Sequence, residues 1–212
     1  MKKKEIVSII QNTATFSNPK IELEQYCIDA SSSVDLMYFA GVEFDDIKNR
    51  LVFDFGAGTG RLSIASVYLR AKYVLSIDID WLALKTLNEN ILTLDLTHLI
   101  FPICSDIKTF EISRRILPKN LKITTIMNPP FGVQKKAADR VFLEKAFNIS
   151  DVVYSIHLAN VNVSKFISNY IKNFNWKIDY VYPFNMVLER TFPFHSKKRK
   201  NINVEIYRFT KI

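Results

Sequence analysis

The 212-residue chain is poor in cysteine, has no long apolar run and carries no linker-like stretch. Cys27 and Cys104 stand far apart in sequence, and neither has a CxxC partner. Such usage fits a reducing compartment, the cytoplasm, and gives no metal-ligand set. No apolar run approaches the ~18 residues that a membrane-spanning helix needs, so no membrane association is expected. The amino terminus, "MKKKEIVSIIQNT", is basic and then apolar. Its apolar part is too short and too interrupted for a secretory signal, and no small-residue cleavage site follows. It reads as a short amphipathic helix. Internal repeats, low-complexity tracts and Gly/Ser linkers are also missing. A single domain over 1–212 is therefore expected, with residues 1–45 as an N-terminal helical cap.

What is present suits a packed enzyme core. Hydrophobic residues make up 48 % and aromatics 13 %, which argues against a disordered chain. The formal charge is +8 and the sequence pI about 9.4. That excess suits a polyanion such as nucleic acid, although many basic proteins bind none.

After helices expected over 1–11 and 29–41, the second with Asp29 or Ser31 as cap, a regular alternation begins. The runs at 50–55, 72–79, 99–104, 122–127 and 152–158 are short and apolar, as buried strands are. Segments 60–70, 81–94, 135–149 and 163–174 have helical spacing; in the second, Leu84, Leu87, Ile91 and Leu94 share one face. Residues 176–188 and 203–209 close the chain as two strands with no helix between them. Strand and helix in turn mean a mostly parallel sheet covered on both faces, and the last pair predicts an antiparallel finish. A ligand of such a fold lies outside the carboxyl ends of the strands.

Three strand ends carry suitable residues. "DFGAGTG" (54–60) follows the first strand, and Gly56, Gly58 and Gly60 allow tight turning and close approach of a ligand. The dinucleotide pattern GxGxxG is not met, because Arg61 takes its last glycine position. Asp54 could orient the loop or face an amino group of the ligand. Asp78, with Ile79 behind it, closes the second strand, where an acid can accept hydrogen bonds from both ribose hydroxyls of a nucleoside. Its plain alternative is a helix cap, a task that Asp80 fits better. After the third strand, Asp106 could reach an adenine amino group beside the backbone of Ile107, or it could simply cap a loop.

This spacing of Asp54, Gly56, Gly58, Gly60, Asp78 and Asp106 resembles the class I methyltransferases. The resemblance implies S-adenosylmethionine as cofactor and a Rossmann-like, seven-stranded, mostly parallel sheet with an antiparallel last strand and helices on both faces.

"IMNPPFG" (126–132) then falls after the fourth strand. Its Asn128, Pro129, Pro130 and Phe131 resemble the amino-methyltransferase signature (D/N/S)PP(Y/F), which serves adenine N6, cytosine N4, guanine N2 and protein glutamine alike. An adenine amino nitrogen is a poor nucleophile, because its lone pair is delocalised into the ring. The Asn128 side-chain oxygen and the Pro129 carbonyl can each accept one of its N–H bonds and so favour a pyramidal nitrogen. The proline rings fix φ and hold both acceptors still. Phe131 can stack on the base, a contact worth about 1–3 kcal/mol. Without the glycine loop upstream, the same residues would read as a rigid turn.

The flanking stretches "FSNPKIELEQY" (16–26), "VYSIH" (153–157) and "FHSKKRKNINVEIYRF" (194–209) narrow the resemblance. With the core motifs they look like the methyltransferase-like family that makes N6-methyladenosine in small-subunit ribosomal RNA, over about 16–209. The resemblance implies Gln25 and Tyr26 as a cap over cofactor and base, and Lys197, Lys198, Arg199 and Lys200 as phosphate contacts. It also implies a small zinc-binding activator protein as partner, for which the helix at 1–11 and the sheet edge at the third strand are candidate surfaces. Ala57 stands where relatives often have cysteine, and Cys27 and Ile28 replace a more polar continuation. His157 and Tyr154 read as core residues, and His195 carries no proton-transfer role. Two rival readings keep the scaffold: an amino-methyltransferase for RNA guanine N2, DNA adenine or protein glutamine, and a non-catalytic RNA-binding factor.

Overall fold

The computed structural model describes residues 1–132, 138–189 and 199–212. Its seven strands are β1 (Leu51–Phe55), β2 (Tyr73–Asp78), β3 (Ile100–Cys104), β4 (Ile123–Met127), β5 (Val152–Leu158), β6 (Trp176–Glu189) and β7 (Arg199–Lys211). They form one sheet in the order β3-β2-β1-β4-β5-β7-β6. The pairings β3·β2, β2·β1, β1·β4 and β4·β5 are parallel. β7 runs antiparallel to both β5 and β6. The strand order reverses between β1 and β4, where a doubly wound sheet opens a crevice.

The helices are α1 (Lys3–Gln11), α2 (Ala30–Tyr38), α3 (Arg61–Tyr68), α4 (Trp81–Thr93), α5 (Ala138–Ile149) and α6 (Val161–Tyr170). Strand alternation divides the core between two faces. Val52, Val74, Ile100, Ile126 and Val152 pack with residues of α1 to α4. Phe53, Phe55, Ile123, Val153 and Phe209 pack with residues of α5 and α6. Each such side chain, fully buried, contributes roughly 1.5–3 kcal/mol.

Caps set the helix starts. The Asp29 carboxylate accepts from the N–H groups of Ser31 and Ser32 at the start of α2. Asp80 caps α4 by accepting from Leu82 N–H. At the end of α2 the chain widens into a π turn, Phe39–Glu43. The following loop is pinned by Asp46, which is 1 % exposed. Its carboxylate takes Arg50 at 2.6 Å, Arg208 Nε at 2.8 Å and the Tyr154 hydroxyl at 2.7 Å. Tyr154 is thus a core residue with a satisfied hydroxyl.

Three readings of the sequence need correction. The stretch 16–26, whose sequence reads as an extended connection, holds a 3-10 turn at Ile21–Leu23, ended by Glu24 in the left-handed region, φ 52°. The apolar face of α1 is consumed inside the molecule: Ile6 and Ile10 are 1 % and 0 % exposed. It offers little to a partner. The last strand is also longer than the apolar run 203–209, because polar pairs such as Asn185–Asn203 carry the hairpin outward. No helix among the described residues is long and apolar enough to cross a membrane.

Candidate active site

Five parallel strands end on the same side of the sheet, and a cavity of about 350 Å³ opens there. Its walls bring together Gln25, Tyr26, Gly56, Gly58, Asp78, Ile79, Asp106, Ile107, Asn128 and Pro130. These residues were expected together from separate stretches of the sequence. Asp54, Gly60, Pro129 and Phe131 do not line it.

The glycine loop is shaped by its own backbone. Gly56 and Ala57 donate to the Ile77 carbonyl, and Gly60 donates to that of Ala57. Gly58 has φ 54°, and a Cβ there would lie 2.9 Å from Phe16 Cζ. Gly60 has φ 88°, and a Cβ would meet Leu87 Cδ1 at 2.1 Å. Gly60 thus serves helix packing, which explains its absence from the cavity wall.

Asp78 accepts from Gly58 N–H through Oδ2 (2.7 Å) and from Asp80 N–H through Oδ1 (2.9 Å). Each oxygen keeps a second acceptor site for an incoming hydroxyl. Burial pushes its pKa up, against the hydrogen bonds. Asp54 lies under the loop and is 1 % exposed. Its Oδ2 accepts from Ser63 Oγ (2.6 Å), and Oδ1 has no hydrogen-bond partner among the described residues. Burial raises its pKa to about 7, helped by the nearby Asp78 charge. The Asp106 Oδ1 accepts from Lys108 N–H at 2.9 Å, so it does cap its loop, while the residue still faces the cavity.

The opposite wall is segment 16–28. The Asp80 carboxylate holds it by accepting from Gln25 Nε2 and Lys20 Nζ, each at 2.8 Å. Burial pushes the Asp80 pKa up, but the bonds from Gln25 and Lys20 outweigh it and leave the pKa lowered. Gln25 Oε1 accepts from Lys20 N–H, and Arg61 donates to the Ile28 carbonyl at 2.6 Å. Phe16, Glu24, Arg61 and Lys108 line the cavity without having been expected there. Nothing in local sequence marked them, because their partners lie far along the chain.

In the NPPF loop, Asn128 Oδ1 is buried and makes no hydrogen bond among the described residues. The Phe131 ring is half-buried against the same apolar cluster as Tyr26, and the Phe131 N–H donates to a Glu24 carboxylate oxygen at 2.7 Å. His157 is 2 % exposed and bonded to Ser155, a core histidine. Lys197, Lys198 and His195 lie outside the described residues. Arg199 and Lys200 open β7 opposite Glu189 and Leu188, and their side chains lie outside the description.

The family model for ribosomal protein L11 methyltransferase matches residues 26–110, which span the glycine loop, Asp78 and Asp106. The rRNA N6-adenosine methyltransferase METTL5 of Danio rerio is 33 % identical, covering 99 % of this chain and 99 % of its own. The chain belongs to the METTL5 methyltransferase family. An uncharacterised protein of Methanocaldococcus jannaschii is 38 % identical over 100 % of this chain and 95 % of its own. A crystal structure from Pyrococcus horikoshii, provisionally assigned as an RNA methyltransferase, is 37 % identical with a TM-score of 0.87. It covers 100 % of this chain and 98 % of that one. The METTL5-family chain is accordingly a methyltransferase, and its cofactor is S-adenosylmethionine. The cavity fits that cofactor: it offers a carboxylate with acceptor capacity, and a loop whose Gly56 and Gly58 hold positive φ and bring bare backbone to the cavity wall.

Proposed function

We propose that the chain methylates N6 of an adenine in ribosomal RNA, that of the small subunit in particular. The observation that carries this is the Asn128 Oδ1 atom, buried and without a hydrogen-bond partner among the described residues, in a cavity that Asp78 and the glycine loop also line. An unsatisfied buried amide oxygen costs about 1–3 kcal/mol. An incoming amino group would remove that cost by donating to it.

In this reading, Asp78 holds the cofactor's ribose hydroxyls, and Ile79 and Ile107 flank its adenine. Asp106 accepts from the adenine amino group, and Gly56 and Gly58 let the methionine part approach the backbone. Asp54 supports the glycine loop from below through Ser63. Gln25 and Tyr26 close the wall above. When bound, the cofactor supplies an electrophilic methyl group on a sulfonium. Asn128 Oδ1 and the Pro129 carbonyl accept the two N–H bonds of the target amine. Pro130 lines the pocket, and the exposed part of the Phe131 ring orients the base. A target adenine must be unpaired or extruded to reach Asn128, at a cost of a few kcal/mol. Alignment of nitrogen and methyl then supplies much of the rate.

The decisive experiment incubates the protein with S-adenosylmethionine and either bare or assembled small subunits. Nucleoside digestion and mass spectrometry then identify the product. N6-methyladenosine at one position is expected; methylguanosine, or methyl on protein, would refute the assignment.

The basic run Lys197, Lys198, Arg199, Lys200 serves as the phosphate contact in this reading. Replacing Lys197 and Lys198 should flatten the salt slope of RNA binding by nearly one unit per lost contact. An unchanged slope would refute that role. A zinc-binding activator, where one is used, would find its surface at the exposed edge strand β3. Phe101 on β3 and Tyr73 on the neighbouring β2 are 41 % and 42 % exposed, with ring centroids 6.0 Å apart. The cytoplasm suits two free cysteines, Cys27 and Cys104.

A further inference from the structure

The NPPF loop has an unusual poverty of backbone donors. Pro129 and Pro130 carry no N–H and have φ fixed by their rings. After Asn128, the first N–H by which the protein can hold this loop is that of Phe131. Fixing that N–H fixes the plane of the Pro130–Phe131 amide, and so the last soft torsion behind the two expected acceptors. The group that holds it is Glu24, 9 % exposed, through a 2.7 Å bond to its carboxylate. A charged acceptor makes this a short, strong contact.

Glu24 does not belong to the loop's surroundings in the sheet. It sits in the segment that walls the cofactor cavity, beside Gln25 and Tyr26. Its backbone is left-handed, φ 52°, an arrangement that a non-glycine residue adopts only when its surroundings enforce it. The enforcement is visible: Glu24 N–H donates to the Ile21 carbonyl, Gln25 N–H to that of Lys20, and Tyr26 N–H to that of Glu24. On either side, Lys20 and Gln25 are fastened to Asp80, two residues beyond the carboxylate of Asp78. One short segment thus joins the end of β2, where the cofactor's ribose would bind, to the loop that would receive the target amine.

We infer that Glu24 is a positioning residue, which fixes the NPPF loop through the Phe131 amide when the 20–28 segment is closed over the cofactor. Cofactor binding thereby completes the target-base site, and the productive order is cofactor first, RNA second. The inference rests on the proposed function for the identity of the substrate, but not for the coupling itself.

The coupling can be read without any substrate. Amide hydrogen exchange at Phe131 is followed in the full-length protein, with and without S-adenosylhomocysteine. Binding of the homocysteine product should slow exchange at Phe131 by about tenfold or more in the parent. The slowing should be lost in Glu24→Ala and retained in Glu24→Gln, whose amide oxygen can still accept. Because the coupling is reciprocal, calorimetry should show S-adenosylhomocysteine binding to Glu24→Ala weakened by a similar factor, about tenfold. Single-turnover methylation at saturating cofactor should then fall on the order of 10- to 100-fold in Glu24→Ala, the range expected for a misplaced reacting group, with most of it restored in Glu24→Gln. Phe131 exchange that ignores the ligand in the parent would overturn the inference. So would a Glu24→Ala rate that recovers fully at saturating cofactor. Should Glu24→Ala fail to fold, the parent's exchange response and the Glu24→Gln rate decide the matter. If ligand-dependent protection appears but no RNA is methylated, the coupling stands and the proposed substrate falls.

Discussion

The glycine loop after β1 is held mostly by backbone bonds to neighbouring strand and turn, with Asp78 added, whereas residues 16–28, on the same cavity, depend more on side chains from distant elements. Gly56, Ala57 and Gly60 bond to carbonyls of adjacent turns and strands. Segment 16–28 has one short 3-10 turn and otherwise depends on Asp80, Arg61 and the contact between Glu24 and Phe131. The first arrangement is rigid as soon as the sheet forms. The second can open locally without unfolding the sheet, since it is fastened by a few side-chain bonds. An enzyme that must admit a cofactor into a covered cavity gains from having one wall of each kind.

That contrast also decides what could be read in advance. The strands and α3 to α6 follow from apolar periodicity, and the glycine loop and Asp78 from their position at strand ends. The bonds that place the cap join residues 55, 60 and 107 positions apart. No local pattern encodes such pairings. "LEQY" drew attention to Gln25 and Tyr26, yet the function of Glu24 within it needed the fold. Phe131 shows the opposite limit: its ring packs half-buried on the core cluster, outside the cavity wall, and no local pattern announces that burial. Asp54 adjoins the loop in sequence, but its partner Ser63 lies on α3, visible only once strand and helix are stacked.

The largest effect belongs to Asn128, in the loop after β4 that meets both walls at the cavity. Asn128→Ala should lower the methylation rate on the order of 100- to 1000-fold, as loss of one preorganised polar group does. Folding stability should hold or rise slightly, because the variant removes a buried oxygen that has no hydrogen-bond partner among the described residues. Single-turnover rates beside chemical denaturation test both halves. A marked loss of stability would mean that Asn128 is a structural residue.

Next comes the charge beneath the loop. The Asp54 pKa is 3.8 when exposed and about 7 in the fold, raised chiefly by burial. Between these values the folded state holds a proton that the unfolded chain releases. Stability therefore falls as pH rises from about 4 to about 7, and the penalty persists above that. At ~1.4 kcal/mol per unit the effect reaches a few kcal/mol. Asp54→Asn should flatten this slope and be the more stable protein above pH ~7. Denaturation curves across that range would contradict the burial argument if both proteins changed in parallel.

Asp80 joins the two walls, so its removal tests whether they act together. Asp80→Ala loses the bonds from Gln25 and Lys20 as well as the cap on α4. Affinity for S-adenosylhomocysteine should drop by about tenfold, the loss of roughly one charge-assisted hydrogen bond at ~1.4 kcal/mol per decade. Calorimetry reads it directly. Unchanged affinity would mean that the cap segment closes without its anchor.

Asp29 supplies the control, and the smallest effect. Like Asp80 it caps a helix, accepting from Ser31 and Ser32 at the start of α2, just past the cap segment. Asp80 differs in also accepting from the side chains of Lys20 and Gln25, which hold the cavity wall. Asp29→Ala should cost about 1 kcal/mol of stability, the usual loss for an N-cap aspartate, while cofactor affinity stays within about twofold of the parent, a change of less than ~0.5 kcal/mol. The two variants then separate a cap that only starts a helix from one that also holds a wall. If Asp29→Ala weakened cofactor binding as much as Asp80→Ala, the cap segment would be positioned through α2, and the side-chain anchors would be secondary.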